Sequence, residues 1–220
     1  VKSPALFLDR VTVYGEQGLP VLMRVHLRVE AGEAVALLGR SGCGKTSLLR
    51  VMAGVLHPRT GIVMLGDVNL RDASYAARQA AQSAVGFVPD RGGVWNNRSV
   101  RGNISLPLEY HGVANVDARV QAVAEELDLV QDLALAPGQV SGSSRRRMLY
   151  ARALVSTPRW LLVDQPQDLL GPEDAALVAA AIERRRSTSE LAVVYADQPR
   201  DLAPFVVDRS LRIEAGQVIG

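Results

Sequence analysis

The chain has 220 residues, 48% of them hydrophobic, enough for one large domain or two small ones around a substantial core. With 25 basic against 23 acidic residues, the formal net charge of +2 gives no electrostatic case for a nucleic-acid binder, whose basic stripe should show in the balance. A single cysteine, Cys43, excludes an intrachain disulfide and fits a reducing compartment.

Val1-Lys2-Ser3-Pro4 leads into an alternating strand and not into an apolar signal core. No uninterrupted apolar run approaches the roughly 20 residues needed to span a bilayer, so the expectation is a soluble protein that docks on something else. Residues 6–13 alternate as a strand, followed by Tyr14, Gly15 and a polar loop through Pro20. Residues 22–29 alternate again, and Glu30-Ala31-Gly32-Glu33 turns the chain into a wholly apolar strand over 34–38. This predicts hairpin-like β structure ahead of an α/β core.

Next comes Gly39-Arg40-Ser41-Gly42-Cys43-Gly44-Lys45-Thr46, which fits G-x-x-x-x-G-K-[ST] at every fixed position; the segment from Ser47 onward reads as a helix. Strand, glycine-rich turn and helix is the context this phosphate-loop motif requires. The glycines let backbone N–H groups converge on phosphate oxygens, and the helix N-terminus adds the positive end of its dipole. Lys45 should reach the β- and γ-phosphates, and the Thr46 hydroxyl should ligate Mg²⁺. The Cys43 side chain is expected to point away, because the backbone does the binding; its oxidation or alkylation could block the site.

Gly54 and Pro58 end that helix, and residues 61–67 give a short strand and turn. Residues 75–83 are alanine-rich and predicted helical, and 85–88 form a buried strand stopped by Pro89. Residues 99–155 are mostly helical in pattern. Within them Val116, Val120, Val123, Ala124 and Leu127 make a one-sided stripe that reads as core packing. Residues 160–164 are an apolar strand ending in Asp164. A helix over 172–186 has Pro172 suited to its first turn, 191–195 form the next buried strand, and 205–213 carry the last. Strands alternating with helices imply a largely parallel sheet covered on both faces. Arg145-Arg146-Arg147 reads as a solvated charge run, and Arg184-Arg185-Arg186 as cations favoured at a helix C-terminus. His26, His57 and His111 lack metal-ligand spacing.

A phosphate loop alone does not choose among kinases, GTPases and motors. The later landmarks are Tyr14 ending the first strand, Val140-Ser141-Gly142-Ser143-Ser144, Ala151-Arg152-Ala153-Leu154, and Leu161-Leu162-Val163-Asp164-Gln165-Pro166. In this order they resemble the nucleotide-binding domain of ABC transporters over nearly the whole chain. The resemblance implies an α/β P-loop NTPase fold of the ABC ATPase type, with a mainly parallel sheet core, an N-terminal antiparallel β subdomain and a helical signature subdomain over about 99–155. Residues 1–220 would form a single ATP-binding domain. The implied cofactors are ATP and Mg²⁺. Tyr14 would stack on adenine, and Gly39, Arg40, Ser41, Gly42, Cys43, Gly44, Lys45, Thr46 and Ser47 would hold phosphates. Thr46 and Asp164 would serve the metal. Ser141 and Gly142 would bind the γ-phosphate of a nucleotide held by a second subunit, since two such domains close head to tail around two ATP molecules.

Six residues, in five places, depart from the family's pattern. Gln165 stands where a glutamate activates water, and an amide cannot accept the proton. Ala196 replaces a histidine that contacts the γ-phosphate, although Asp197 matches the next position. Asp90 replaces a glutamine, Gly171 an aspartate, and Ser143 and Ser144 the usual glycine and glutamine. With the phosphate loop intact, these losses imply a site that binds ATP·Mg²⁺ and hydrolyses it poorly. The implied partners are a second ABC ATP-binding subunit, a more intact homologue being favoured over a second copy, and a transmembrane permease docking beside Asp90. Residues 92–95 and 103–108 there look like ATPase subunits of MCE-type lipid transporters and of the lipoprotein-release group, with Trp95 either a docking aromatic or core. The implied location is cytoplasmic, on the inner face of the membrane. The alternative is a nucleotide-gated structural subunit. A soluble P-loop kinase or GTPase is disfavoured by the segment 141–154.

Overall fold

The alternating apolar positions of the first third of the chain fold as a small antiparallel sheet, and the fully apolar runs fold as a parallel one. The structure, a computed structural model, describes residues 6–219. The expectation placed on Val1 to Pro4 lies outside the described residues. In chain order the elements are β1 (Leu6–Tyr14), β2 (Pro20–Val29), β3 (Ala34–Leu38), α1 (Lys45–Met52), β4 (Thr60–Leu65), β5 (Val68–Asn69), α2 (Tyr75–Ser83) and β6 (Val85–Val88). They continue with α3 (Val100–Tyr110), α4 (Val116–Glu126), a 3-10 turn over Val130–Asp132, α5 (Gly142–Leu154), β7 (Trp160–Asp164), α6 (Pro172–Ser189), β8 (Ala192–Asp197), β9 (Arg209–Glu214) and β10 (Gln217–Ile219).

The four-stranded sheet has the order β2-β1-β4-β5, antiparallel throughout. The six-stranded sheet has the order β10-β9-β3-β8-β7-β6, with five parallel strands and only β10 antiparallel. One apolar cluster lies between the antiparallel sheet, α1 and one face of the large sheet. The other joins the opposite face to α3, α4, α5 and α6. Both faces of the parallel sheet are thus covered, which is why β3, β7 and β8 carry almost no polar side chain. The stripe on α4 is core, with Val120, Val123, Ala124 and Leu127 buried.

Several boundaries differ from the sequence pattern. The strand expected over 205–213 begins only at Arg209; Phe205 instead packs beside Tyr195 and Tyr150. The strands β5 and β10 are two and three residues long, too short for a period to show. Arg184 and Arg185 pair with Glu126 of α4, while Arg186 pairs with Glu183 and Asp208. Those arginines tie α6 to its neighbours. No helix among the described residues is long and apolar enough to cross a membrane.

Candidate functional site

Ligands in open parallel sheets collect at the carboxyl ends of the strands. Here β8 lies between β3 and β7, and Ala196 pairs with Leu37 on one side and Asp164 on the other. The register brings the loop leaving β3, residues 39–44, and the carboxylate ending β7 to the two sides of one cleft. Its walls are Val21, Ser41, Gly42, Gly44, Lys45, Thr46, Ser47, Asp90, Asp164, Gln165 and Gln198. The space inside it is about 200 Å³, small for a complete small-molecule site, and it opens to solvent.

The loop's conformation needs its glycines. Gly44, the N-cap of α1, has φ 109°, and a Cβ there would stand 2.9 Å from both Leu22 Cδ2 and the Val21 carbonyl. No side chain caps α1, so the N–H groups of its first turn open toward the cleft. Lys45 is nearly buried; its Nζ donates to the carbonyls of Gly39 at 2.7 Å and Arg40 at 2.9 Å. The Cys43 thiol lies 3.8 Å from the same ammonium and is partly buried against the apolar cluster around α1, outside the cleft wall.

Thr46 Oγ1 donates to Asp164 Oδ2 at 2.6 Å. Burial raises the Asp164 carboxyl above the ordinary range; the Thr46 hydrogen bond opposes the rise, and the nearby Asp90 charge adds to it. A hydroxyl and a carboxylate in contact are hard oxygen donors of the kind Mg²⁺ uses. Among the described residues no group of three or more His, Cys, Asp or Glu side chains could hold a metal. The pair therefore fits an ion that keeps most of its ligands as water and phosphate, as Mg²⁺ does.

A family model described as ABC transporter matches residues 22–168, two-thirds of the chain, running from β2 through the phosphate loop to the turn after Asp164. The chain belongs to the ABC transporter family. It is 30% identical over 215 residues to the methionine import ATP-binding protein MetN of Caulobacter vibrioides, covering 97% of this chain and 65% of that one. With MetN of Xanthomonas campestris pv. campestris it shares 30% over 210 residues, covering 94% and 62%. The chain thus spans less than two-thirds of the length of these relatives. Its fold is that of the ATP-binding cassette MJ0796, solved as a dimer in a post-hydrolysis state bound to ADP and Pi, with a TM-score of 0.88 at 24% identity over 97% of this chain and 96% of that one. The cbiO1 structure from Clostridium perfringens, part of the ABC transporter complex cbiONQ, matches with a TM-score of 0.83 at 20% identity over 99% and 88%.

In this ABC chain the cleft gathers Ser41, Gly42, Gly44, Lys45, Thr46, Ser47, Asp90, Asp164 and Gln165 from the residues singled out in sequence. Tyr14, Gly39, Arg40, Cys43, Ser141, Gly142 and Ala196 lie outside its wall. Tyr14 ends β1 half-exposed, paired with Pro20 beside Val21. Ser141 is exposed and caps α5, its Oγ accepting from Ser144 N at 2.9 Å. Ala196 is fully buried in the cluster beneath α1, and its carbonyl accepts from Gln165 N at 2.8 Å. Gln165 holds a left-handed φ of 55°, a strain that tends to accumulate at functional sites.

Two findings differ from the sequence reading. The run 145–147 is not a solvated one: Arg146 and Arg147 are buried, and only Arg145 is exposed. Arg147 pairs with Asp174 at 3.1 Å and with Asp128 at 3.2 Å, while Arg146 reaches the strand ends behind the cleft. Charge alone could not reveal this, since both arginines find partners far away in the chain. Trp95 is half-exposed, which removes the core reading. Gln198 was not foreseen; the Asp197 Oδ1 acceptor at 2.7 Å holds its backbone N–H, and Asp197 is clamped by Arg200.

Proposed function

We propose that this chain is the ATP-binding subunit of an ABC transport complex, that it binds ATP·Mg²⁺ in the cleft just described, and that it hydrolyses ATP slowly at its own site. One observation carries the reading: Lys45, Thr46 and Asp164 share a cleft whose next residue, Gln165, is an amide. Lys45 and the first turn of α1 supply cationic and N–H donors for phosphates. Asp164 and Thr46 hold the Mg²⁺, whose contribution is to neutralise phosphate charge. Gln165 orients water without accepting its proton, and Ala196 offers no side-chain donor. Tyr14 contacts the adenine, and Ser141 with the Gly142 N–H serves a nucleotide held by the facing subunit. The dimeric forms of MJ0796 support that pairing.

The favoured partner is a more intact homologue, so that one of the two sites turns over, with a transmembrane permease docking on the segment after Asp90. The half-exposed Trp95 supports that surface, as does α2, where Gln79 hydrogen-bonds the exposed Tyr75 and Tyr110 hydroxyls. In this arrangement the chain sits on the cytoplasmic face of the membrane. Cargo has two candidate classes. The names of the relatives suggest a small amino acid such as methionine, and the likeness of residues 92–95 and 103–108 to MCE-type and lipoprotein-release ATPases suggests a lipid. The match extends to 3002 curated proteins, the breadth of a shared engine more than of a shared cargo.

The test is nucleotide affinity and turnover of the purified chain. Binding with little turnover supports the proposal, and turnover near ~1 s⁻¹, the low end of the usual enzyme range, contradicts it. Gln165→Glu should raise turnover by about 10²–10⁴, the usual worth of a general base. The second reading, a nucleotide-gated scaffold that stabilises the complex without driving it, rests on the same departures. Rescued hydrolysis with lost transport favours a working role for the slow site, and no effect on transport favours the scaffold.

A further inference from the structure

The largest fully buried side chain is a cation. Arg146, on α5, is 1% exposed. Its Nη1 donates to the Pro89 carbonyl at 2.5 Å, and its Nη2 donates to the carbonyls of Asp164 at 2.7 Å and Gln165 at 2.6 Å. Its guanidinium carbon lies 5.4 Å from the centre of the Tyr150 ring, and the Tyr150 hydroxyl donates to the Pro166 carbonyl at 2.7 Å. Nε is buried without an acceptor. Packing alone does not favour such a residue, because an apolar side chain of similar volume is often neutral or stabilising where a charge is buried.

The acceptors explain the choice. Pro89 precedes Asp90, and Asp164 and Gln165 are themselves cleft residues, so one planar fork spans the ends of β6 and β7 from behind. A fork fixes both strand ends in a way that the single ammonium of a lysine does not. From the same helix, Arg152 donates to the Gly93 carbonyl, so α5 grips the segment after β6 at two points.

We propose that Arg146 is a positioning residue for the metal side of the cleft. By holding the carbonyls of Pro89, Asp164 and Gln165 it sets where the Asp164 carboxylate stands against Thr46, and the benefit of Mg²⁺ to nucleotide binding depends on it. The inference rests on the ATP·Mg²⁺ reading of the cleft. Groups that orient a metal ligand from behind typically change metal affinity by about 10–100-fold when lost.

The experiment measures affinity for a non-hydrolysable ATP analogue with Mg²⁺ and with EDTA, alongside the thermal midpoint without nucleotide. The proteins are wild type, Arg146→Lys, Arg146→Gln and the exposed control Arg145→Gln. Both Arg146 variants should lose the Mg²⁺-dependent gain by about 10–100-fold while keeping the affinity in EDTA, and the control should keep both. The inference is overturned if both variants retain the gain, whatever their midpoints. It is equally overturned if affinity falls in parallel with and without Mg²⁺, because the fork then only supports the fold. If Arg146→Gln does not fold, Arg146→Lys decides by the same criteria. Wild-type protein that binds no nucleotide overturns the proposed function, and the inference with it; a wild type that binds isolates the inference for judgement by the variants.

Discussion

Asp90 and Asp164 face one cleft, and the charge on the first makes ionising the second harder. Burial is the larger cause of the raised Asp164 value, and the Thr46 hydrogen bond pulls the other way. The sign follows by linkage. Below the ordinary aspartate value both folded and unfolded chains carry the proton, and the stabilisation due to tighter proton binding in the fold is fully present. As pH rises through the raised folded value that stabilisation is lost. Cation binding needs the ionised form, so the Mg²⁺-dependent part of nucleotide affinity should fail on acidification at a higher pH than an ordinary aspartate allows. Asp90→Asn removes the repulsion and should move that failure to lower pH, read from affinity against pH with and without Mg²⁺. An unmoved profile would show that the Asp90 charge does not reach Asp164. The residues of the phosphate loop and Asp164 were legible because their spacing carries the chemistry. Arg146 and Gln198 were not, since the buried fork finds its acceptors up to 57 residues away and Gln198 joins the cleft wall only when β8 is placed between β3 and β7.

At the scale of elements, α5 crosses β6 closely enough to need a glycine. A Cβ at Gly86 would stand 2.5 Å from the Ala153 carbonyl of α5. Backbone cannot yield as a flexible side chain can, so Gly86→Ala should destabilise by about 1–3 kcal/mol, the usual cost of overpacking. The readout is a lower denaturant midpoint at unchanged slope. At Gly138 an added methyl meets nothing within 4 Å, and Gly138→Ala should stay within about 0.5 kcal/mol of wild type. The helix α2 and strand β6 appeared where the alanine-rich composition and Pro89 placed them. The strand expected from Phe205 did not, because its apolar residues serve a packing turn against Tyr150 and Tyr195 before pairing begins at Arg209.

For the whole molecule, a ligand bound only by the folded chain stabilises all of it. At about 100 times the dissociation constant ATP·Mg²⁺ should add about 2.7 kcal/mol, seen as a concentration-dependent rise in thermal midpoint. Lys45→Ala, which removes the ammonium beside the phosphate loop, should abolish that rise; an equal rise in the variant would place binding elsewhere. The order of the later landmarks, Ser141-Gly142 and Asp164 among them, pointed to the family by resemblance; hydrophobic period, turn residues and the phosphate-loop spacing by themselves determined the strand-helix alternation and the loop. Both of these depend on neighbours within a few residues, where local geometry is fixed by the chain itself. Only the tertiary structure decided that β8 stands between β3 and β7, that Asp90 shares a cleft with Asp164, and that Arg146 spans the strand ends behind them. Those relations join segments tens to more than a hundred residues apart, and they come into being only when the sheet assembles and its two faces are covered.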